Sequence, residues 1–373
     1  MVSIYEELGI KPIINAAATL TRLGGSRMPD EVLVAMRDAA ASFVDLPKLQ
    51  ERIGDRIAQL TQNEAAFVSS GAAGGIVLAV ATLMAAPNLP EPMAFPMLTG
   101  ISKSEVIVFT SQRNGYDFAI TQTGATIVEC ADSLDSFEGA IGSRTACMVW
   151  FAGTLAGRSP QLEDVIAVAR KHNLPVLVDA AAQIPPVENL WHFTKTLGVD
   201  GVIFSGGKGI RGPQAAGLVL GTKALIAGCR RLSPPTQGIG RPMKVGKEEL
   251  AGMLAAVEYT LNQDEDALIE GYEEMVHGWI EDLAGFPGIT TERRFPSEAG
   301  QPHSRTIIHI GEASPWTRDQ IVEQLLTGDV CIEVSVPADD PKAFALNPQT
   351  VAREEADIIS KRLREILGGT PAS

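Results

Sequence analysis

The chain has little basic charge. Its 31 Lys and Arg face 45 Asp and Glu, for a net charge of −14, and the cations are scattered apart from short pairs such as Arg230-Arg231 and Arg293-Arg294. A nucleic-acid surface shows a basic excess or stripe, so no nucleic-acid partner is expected. Cysteine is scarce too. Cys130, Cys147, Cys229 and Cys331 stand far apart with no CxxC or zinc-type spacing, which argues against a disulfide framework and gives no metal site to expect. Buried free thiols point to a reducing compartment. No apolar run approaches the ~18 residues a membrane span needs. The segment from Met1 to Lys11 carries Glu6 and Glu7 instead of an apolar signal core. A cytoplasmic protein without a membrane partner is expected. Internal repeats and low-complexity segments are missing, apart from a loose Pro-rich loop around Pro87–Pro96.

What the chain does have is ordinary globular composition, 45% hydrophobic and 20% charged over 373 residues. That length suits two domains better than one. Residues 1–64 read as an N-terminal arm followed by helices near 29–41 and 47–62. From Ala65 short apolar runs alternate with helical stretches. Strands are expected near 65–68, 106–110, 126–129, 146–150, 175–179, 201–204 and 217–220, with a helix at 162–172 among the connections. Such alternation argues for a mostly parallel sheet covered on both faces. The fold class is therefore α/β, with a large domain over 65–245. After Pro234-Pro235 the pattern changes. Helices near 247–261 and 264–284, strands near 305–310 and 330–336, and a last helix at 351–367 give a smaller α+β domain over 246–373.

Three elements carry chemistry. Ser69-Ser70-Gly71-Ala72-Ala73-Gly74-Gly75 joins a strand to a helix. A helix start offers free N–H groups and a positive dipole end to a phosphate, although a tight packed turn would use the same small residues. Val176-Leu177-Val178-Asp179 ends an apolar strand on an acid. In open parallel sheets ligands bind beyond the carboxyl ends of the strands, and a carboxylate there can pair with a protonated ring nitrogen. An Asp in that position can equally cap the next helix. The third element is Phe204-Ser205-Gly206-Gly207-Lys208-Gly209, a lysine just past a strand of the same sheet. Desolvation lowers a lysine pKa and supplies the neutral amine that imine chemistry needs. A Walker-type phosphate loop is excluded, because Gly209 follows Lys208 where Ser or Thr is required.

The order of these elements resembles the aspartate-aminotransferase-like (fold type I) enzymes that use pyridoxal 5′-phosphate (PLP). Ile14-Asn15-Ala16, Thr19–Ser26, Phe43-Val44-Asp45, Val68–Gly75, Asp179–Pro185, Asn189-Leu190-Trp191, Phe204–Gln214 and Gly240–Glu248 resemble the selenocysteine synthase-like family within that fold, and its ammonia-lyase branch most of all. The resemblance runs from about residue 9 to 250. It implies PLP held on Lys208 as a Schiff base, with Lys208 shuttling the α-proton, and Asp179 at the ring nitrogen. Ser70, Gly71, Ala72 and Ser205 would surround the phosphate, with Gln183 near the O3′ side. Arg241 and Lys244 fall in a segment the family keeps near the active-site entrance. Asn15, Thr19, Arg22, Arg211 and Arg241 are the candidates for substrate contact, arginine being suited to carboxylate or phosphate.

The resemblance departs at Gln112, where family members usually carry His. The position follows a strand end and is placed to stack over the pyridine ring, so Gln112 joins the cofactor-binding candidates, although an amide can serve neither as acid/base nor as aromatic plate. None of the five histidines is assigned to catalysis. The implied activity is α,β-elimination of a hydroxylated amino acid or amino-sugar acid to a 2-oxo acid and ammonia. The alternative is a racemase or epimerase. Transfer on seryl-tRNA is disfavoured by the charge and by core motifs that begin almost at the N-terminus. Fold type I sites generally form between subunits, which implies at least a homodimer acting on a small amino-acid-like substrate.

Overall fold

The computed structural model describes residues 3–337 and 340–371. The chain divides into two compact units. One is Ser26–Gln263, and the other joins the chain up to Gly25 with the chain from Asp264 onward. In chain order the strands are β1 (Ile13–Ala16), β2 (Ala65–Ser69), β3 (Glu105–Phe109), β4 (Thr126–Cys130), β5 (Thr145–Phe151), β6 (Val176–Asp179), β7 (Gly201–Ser205), β8 (Gly217–Gly221), β9 (Ile289–Arg294), β10 (Arg305–Ile310), β11 (Cys331–Val334) and β12 (Ala343–Leu346).

In the larger unit seven strands form one sheet in the order β2-β8-β7-β6-β5-β3-β4. Strands β3 to β7 run parallel, and β8 is antiparallel to both its neighbours. Side chains alternate between two apolar layers. Ile107 and Phe109 of β3, and Val202 and Phe204 of β7, face one layer. Val106, Val108 and Ile203 face the other. Burial on both faces explains why these strands read as unbroken apolar runs. Helix Gly71–Ala85 is buried at every residue from Gly74 to Met84, so it is apolar all round rather than striped.

The units do not divide at the boundaries expected after residues 64 and 245. Helices Asp30–Ala40, Leu46–Leu60 and Lys247–Asn262 belong to the larger unit. Val32, Ile53, Ile57, Leu250, Met253 and Val257 share one apolar layer with the sheet, and that shared core draws the helices in.

The smaller unit pairs β1 with β11 in parallel, Ile14 opposite Ile332. A separate antiparallel sheet runs β12-β10-β9. Its core combines Ile14 and Ala16 with Trp279, Ile308, Phe344, Ile359 and Leu363. No described helix is long and apolar enough to cross a membrane.

Candidate active site

The three chemical elements lie within the larger unit, at carboxyl ends of its strands or just beyond them. At the end of β2 the chain turns through Ser70 into helix Gly71–Ala85. Gly71 sits at φ +65°, and a Cβ built there would meet nothing within 4 Å. The left-handed conformation favours glycine, and the open space lets an anion reach the backbone. Ser69 Oγ donates to the Gly71 carbonyl at 2.8 Å and steadies the turn. The Ser70 hydroxyl makes no capping hydrogen bond, and the first-turn N–H groups have no partner within the helix. Ser70, Gly71 and Ala72 are all half-buried there.

Asp179 closes β6 with 8% of its surface exposed. One carboxylate oxygen accepts the Ala181 N–H at 2.9 Å; the other has no hydrogen-bond donor among the described residues. Burial pushes its pKa up, while the Ala181 N–H and the charge on Lys208 act the other way. Gln183 lies on the turn just beyond, buried, its N–H bonded to the Ala180 carbonyl and its own carbonyl accepting from Asn189.

Lys208 follows β7 on a loop held from several sides. The Arg211 N–H donates to the Lys208 carbonyl at 2.9 Å, and the Gly212 N–H to the Gly206 carbonyl at 2.7 Å. Ser26 donates its N–H to the Gly207 carbonyl and its hydroxyl to the Lys208 carbonyl at 2.9 Å. Gly209 passes so close to the Ile184 carbonyl oxygen that a Cβ would stand 1.9 Å from it. No larger residue fits there. Burial lowers the Lys208 pKa and the Asp179 charge opposes the shift. The lysine is thus biased toward the neutral amine, with a carboxylate near enough to influence it. Ser205, half-buried, precedes the same loop.

Several expected contacts turn out otherwise. Gln112 is 0% exposed. Its Nε2 donates to Ser159 Oγ at 2.8 Å, and its Oε1 accepts the Phe151 N–H at 2.8 Å. The amide is used up inside the protein and offers no face to a ring, which corrects the stacking expectation. Arg211 is corrected likewise. At φ +58° it donates from Nε to the Arg27 carbonyl and from Nη1 to Tyr259 Oη, each at 3.1 Å, with its guanidinium over the Tyr259 ring. It anchors the lysine loop instead of facing a substrate.

In the smaller unit Arg22 pairs with Glu333 at 2.5 Å. The Asn15 side chain closes its own turn, accepting from the Ala17 N–H and donating to the Ala18 carbonyl. Both groups are committed locally. Thr19, half-buried, makes no side-chain hydrogen bond among the described residues. Arg241 and Lys244 line a cavity of about 710 Å³ that none of Lys208, Asp179, Ser70 or Ser205 borders. Sequence reasoning missed the clamp roles of Ser26, Tyr259 and Ser159. Ser26 alone carried a signal, as the end of the Thr19–Ser26 motif.

Residues 97–253 match the aminotransferase class-V family. Over 375 residues, 98% of each chain, the sequence is 30% identical to the D-glucosaminate-6-phosphate ammonia lyase of Salmonella typhimurium (strain 14028s / SGSC 2262). The chain belongs to the selenocysteine synthase-like family of fold type I PLP enzymes. It is also 29% identical over 383 residues to a 5′-C-glycyluridine monooxygenase-decarboxylase from Streptomyces sp, covering 98% of this chain and 93% of that one. The solved structure of D-glucosaminate-6-phosphate ammonia-lyase matches with a TM-score of 0.83 at 29% identity, over 99% of each chain.

As a member of this family the chain is an enzyme whose cofactor is PLP. The site fits that group on its own chemistry. Asp179 keeps one carboxylate oxygen free for a ring N–H. The turn at Ser70 and Gly71 leaves open space and unused donors for a phosphate. The half-buried Lys208 is biased toward the amine.

Proposed function

We propose that the enzyme carries out α,β-elimination on a hydroxylated amino acid or amino-sugar acid, releasing a 2-oxo acid and ammonia. The observation that carries this reading is a half-buried amine within the electrostatic reach of a buried carboxylate with one free oxygen, in a chain alike over its whole length to an ammonia lyase. Lys208 and Asp179 would hold PLP, with Ser70, Gly71, Ala72 and Ser205 around its phosphate and Gln183 beside it. When bound, PLP draws electron density from Cα and makes the Cα proton acidic.

Lys208, kept toward neutrality by burial, takes that proton at Nζ. The electron pair forms a Cα=Cβ bond as the Cβ–O bond breaks. The new ammonium returns its proton to the departing oxygen, so water leaves. The enamine then takes up one water and gives the 2-oxo acid and ammonia, which balances the water lost. Asp179 would lie at the ring nitrogen, where its carboxylate would stabilise a proton. Ser26 and Arg211 hold the loop so that the amine stays on target.

The reading extends to a homodimer or larger homo-oligomer in the cytoplasm. Exposed apolar side chains at Leu33, Val34, Phe43 and Val44 support self-association. Four buried free cysteines support a reducing compartment.

The test is a screen of hydroxylated D- and L-amino acids and amino-sugar acids for 2-oxo acid and ammonia, run beside solvent-deuterium exchange at Cα. Release in equal amounts is expected. Exchange with inversion and no 2-oxo acid would replace the lyase by a racemase. Borohydride is expected to fix PLP on Lys208, seen by peptide mass. A Lys208→Ala variant that still gives a reduced covalent adduct refutes the assignment of the lysine.

A further inference from the structure

Asp179 ends β6 and Lys208 follows β7, its neighbour in the sheet, and the backbone stitches their two loops together. The Ala180 N–H donates to the Ile203 carbonyl at 2.9 Å, and the Ser205 N–H to the Ala181 carbonyl at 3.2 Å. Ala181 gives its own N–H to the Asp179 carboxylate. Further along the same turn, the Ile184 carbonyl presses on Gly209, the residue after Lys208, and leaves no room for a Cβ. The direction of the peptide between Gln183 and Ile184 therefore sets where Gly209 can lie, and the lysine with it. Packing this close transmits a displacement instead of absorbing it.

A side chain from outside the turn holds that peptide. Asn189 Nδ2 donates to the Gln183 carbonyl at 2.7 Å. The bond from the Gln183 N–H to the Ala180 carbonyl fixes only the preceding peptide. Asn189 stands on an anchored base. It opens the short helix Asn189–Trp191, in which Leu190 is fully buried and its carbonyl accepts from Asn63 Nδ2 at 2.8 Å. Asn63 Oδ1 in turn accepts from Thr194 Oγ1, just past the helix. A donor anchored in this way orients a carbonyl instead of following it. We propose that Asn189 is a positioning residue for Lys208: by fixing the Gln183–Ile184 peptide it keeps Gly209 against the Ile184 carbonyl and the lysine amine in place relative to Asp179. The proposal rests on the assignment of Lys208 and Asp179 to PLP. The Asn189 amide bonds to neither of them among the described residues, so it acts only through the loop.

Apo-protein is trace-acetylated with acetic anhydride across a pH series, and peptide mass gives the midpoint at which Lys208 becomes reactive. In wild type that midpoint is expected below the ordinary lysine value of 10.5, because burial favours the neutral amine. A loosened loop admits water, so Asn189→Ala is expected to move the midpoint up toward 10.5. PLP titrated into the same proteins, followed by its absorbance, is expected to bind Asn189→Ala about 3- to 10-fold more weakly, the range for one neutral hydrogen bond. Asn189→Asp keeps the side-chain volume but cannot donate, and is expected to shift both readouts at least as far. It carries the test if far-UV circular dichroism shows the alanine variant unfolded. Asn189→Gln keeps the amide on a longer arm and is expected to recover part of the loss. A folded Asn189→Ala or Asn189→Asp with a wild-type midpoint and wild-type PLP affinity overturns the proposal even if its Tm has fallen, because a merely structural bond moves stability alone. Borohydride reduction of wild-type holoenzyme separates the two readings. Label on Lys208 with unchanged variants refutes only the role of Asn189, whereas label on another lysine refutes the cofactor assignment and the positioning role together.

Discussion

Replacing Gln112 by Ala separates a structural clamp from a cofactor contact. In the wild type the Gln112 amide joins Ser159 Oγ to the Phe151 N–H. It thereby closes both ends of the Gly153–Arg158 turn that follows β5. The next residue along, Ala152, donates its N–H to the Asp179 carbonyl at 2.9 Å, so the clamp borders the backbone of the cofactor's partner acid. Alanine leaves the buried Phe151 N–H without an acceptor, which costs about 1–3 kcal/mol. Ser159 keeps its bond to the Ala156 carbonyl, so its hydroxyl adds little. The emptied side-chain volume adds roughly 1 kcal/mol. Together these predict a loss of about 2–4 kcal/mol. For a unit of this size that lowers Tm by about 5–15 °C. The assay is differential scanning fluorimetry on protein stripped of PLP. A clamp acts with or without the cofactor, so the drop is expected in the apo-protein. A Tm for apo Gln112→Ala within about 1 °C of wild type, with a change only after PLP is added, would refute the clamp and restore the ring contact.

Further outcomes follow from the same site. Burial raises the Asp179 pKa above its ordinary value of 3.8. In the window between 3.8 and the raised value the folded state binds more protons than the unfolded one, so stability falls as pH rises through it. Apo Asp179→Asn is therefore expected to be more stable than wild type at neutral pH, with the gain shrinking as pH drops toward 3.8, while 2-oxo acid release collapses; urea midpoints across pH test both signs. Lys208→Ala is expected to slow solvent-deuterium exchange at Cα by about 10²- to 10⁴-fold, the usual contribution of a positioned base, measured by proton NMR. Because Arg211 sits at φ +58°, Arg211→Gly is expected to be about 1–2 kcal/mol more stable than Arg211→Ala, and both are expected to release PLP faster than wild type in a dialysis assay.

The larger sheet was legible because its strands are buried on both faces and carry unbroken apolar runs. Asp179 and Lys208 were legible because the chemistry demands those residue types just past such strands. Strands β9 and β12 gave no such signal. Ile289–Arg294 is polar after its buried first residue, with three of its six residues exposed, and Ala343–Leu346 is only four residues long. The helix Lys247–Asn262 was visible as a helix, but an apolar stripe does not say which core receives it. Gln112 and Arg211 misled for a related reason. A polar side chain next to a catalytic loop has the same composition whether it binds a ligand or holds the loop. Their partners lie far off in sequence, Ser159 at a separation of 47 and Tyr259 at 48, and only folding reveals them.

The pairing of β1 with β11 sets an order of events on the ribosome. Residues 13–16 are made long before their partner strand, Cys331–Val334. Every residue that would hold PLP precedes Asp264. A growing chain therefore has its whole cofactor cradle in hand while Ile13 and Ile14 still wait as an unpaired apolar edge. Strand edges of that kind are where nascent chains stick to one another. Premature termination between Gln263 and Cys331 thus leaves a chain with its chemistry already written and an apolar strand edge uncovered.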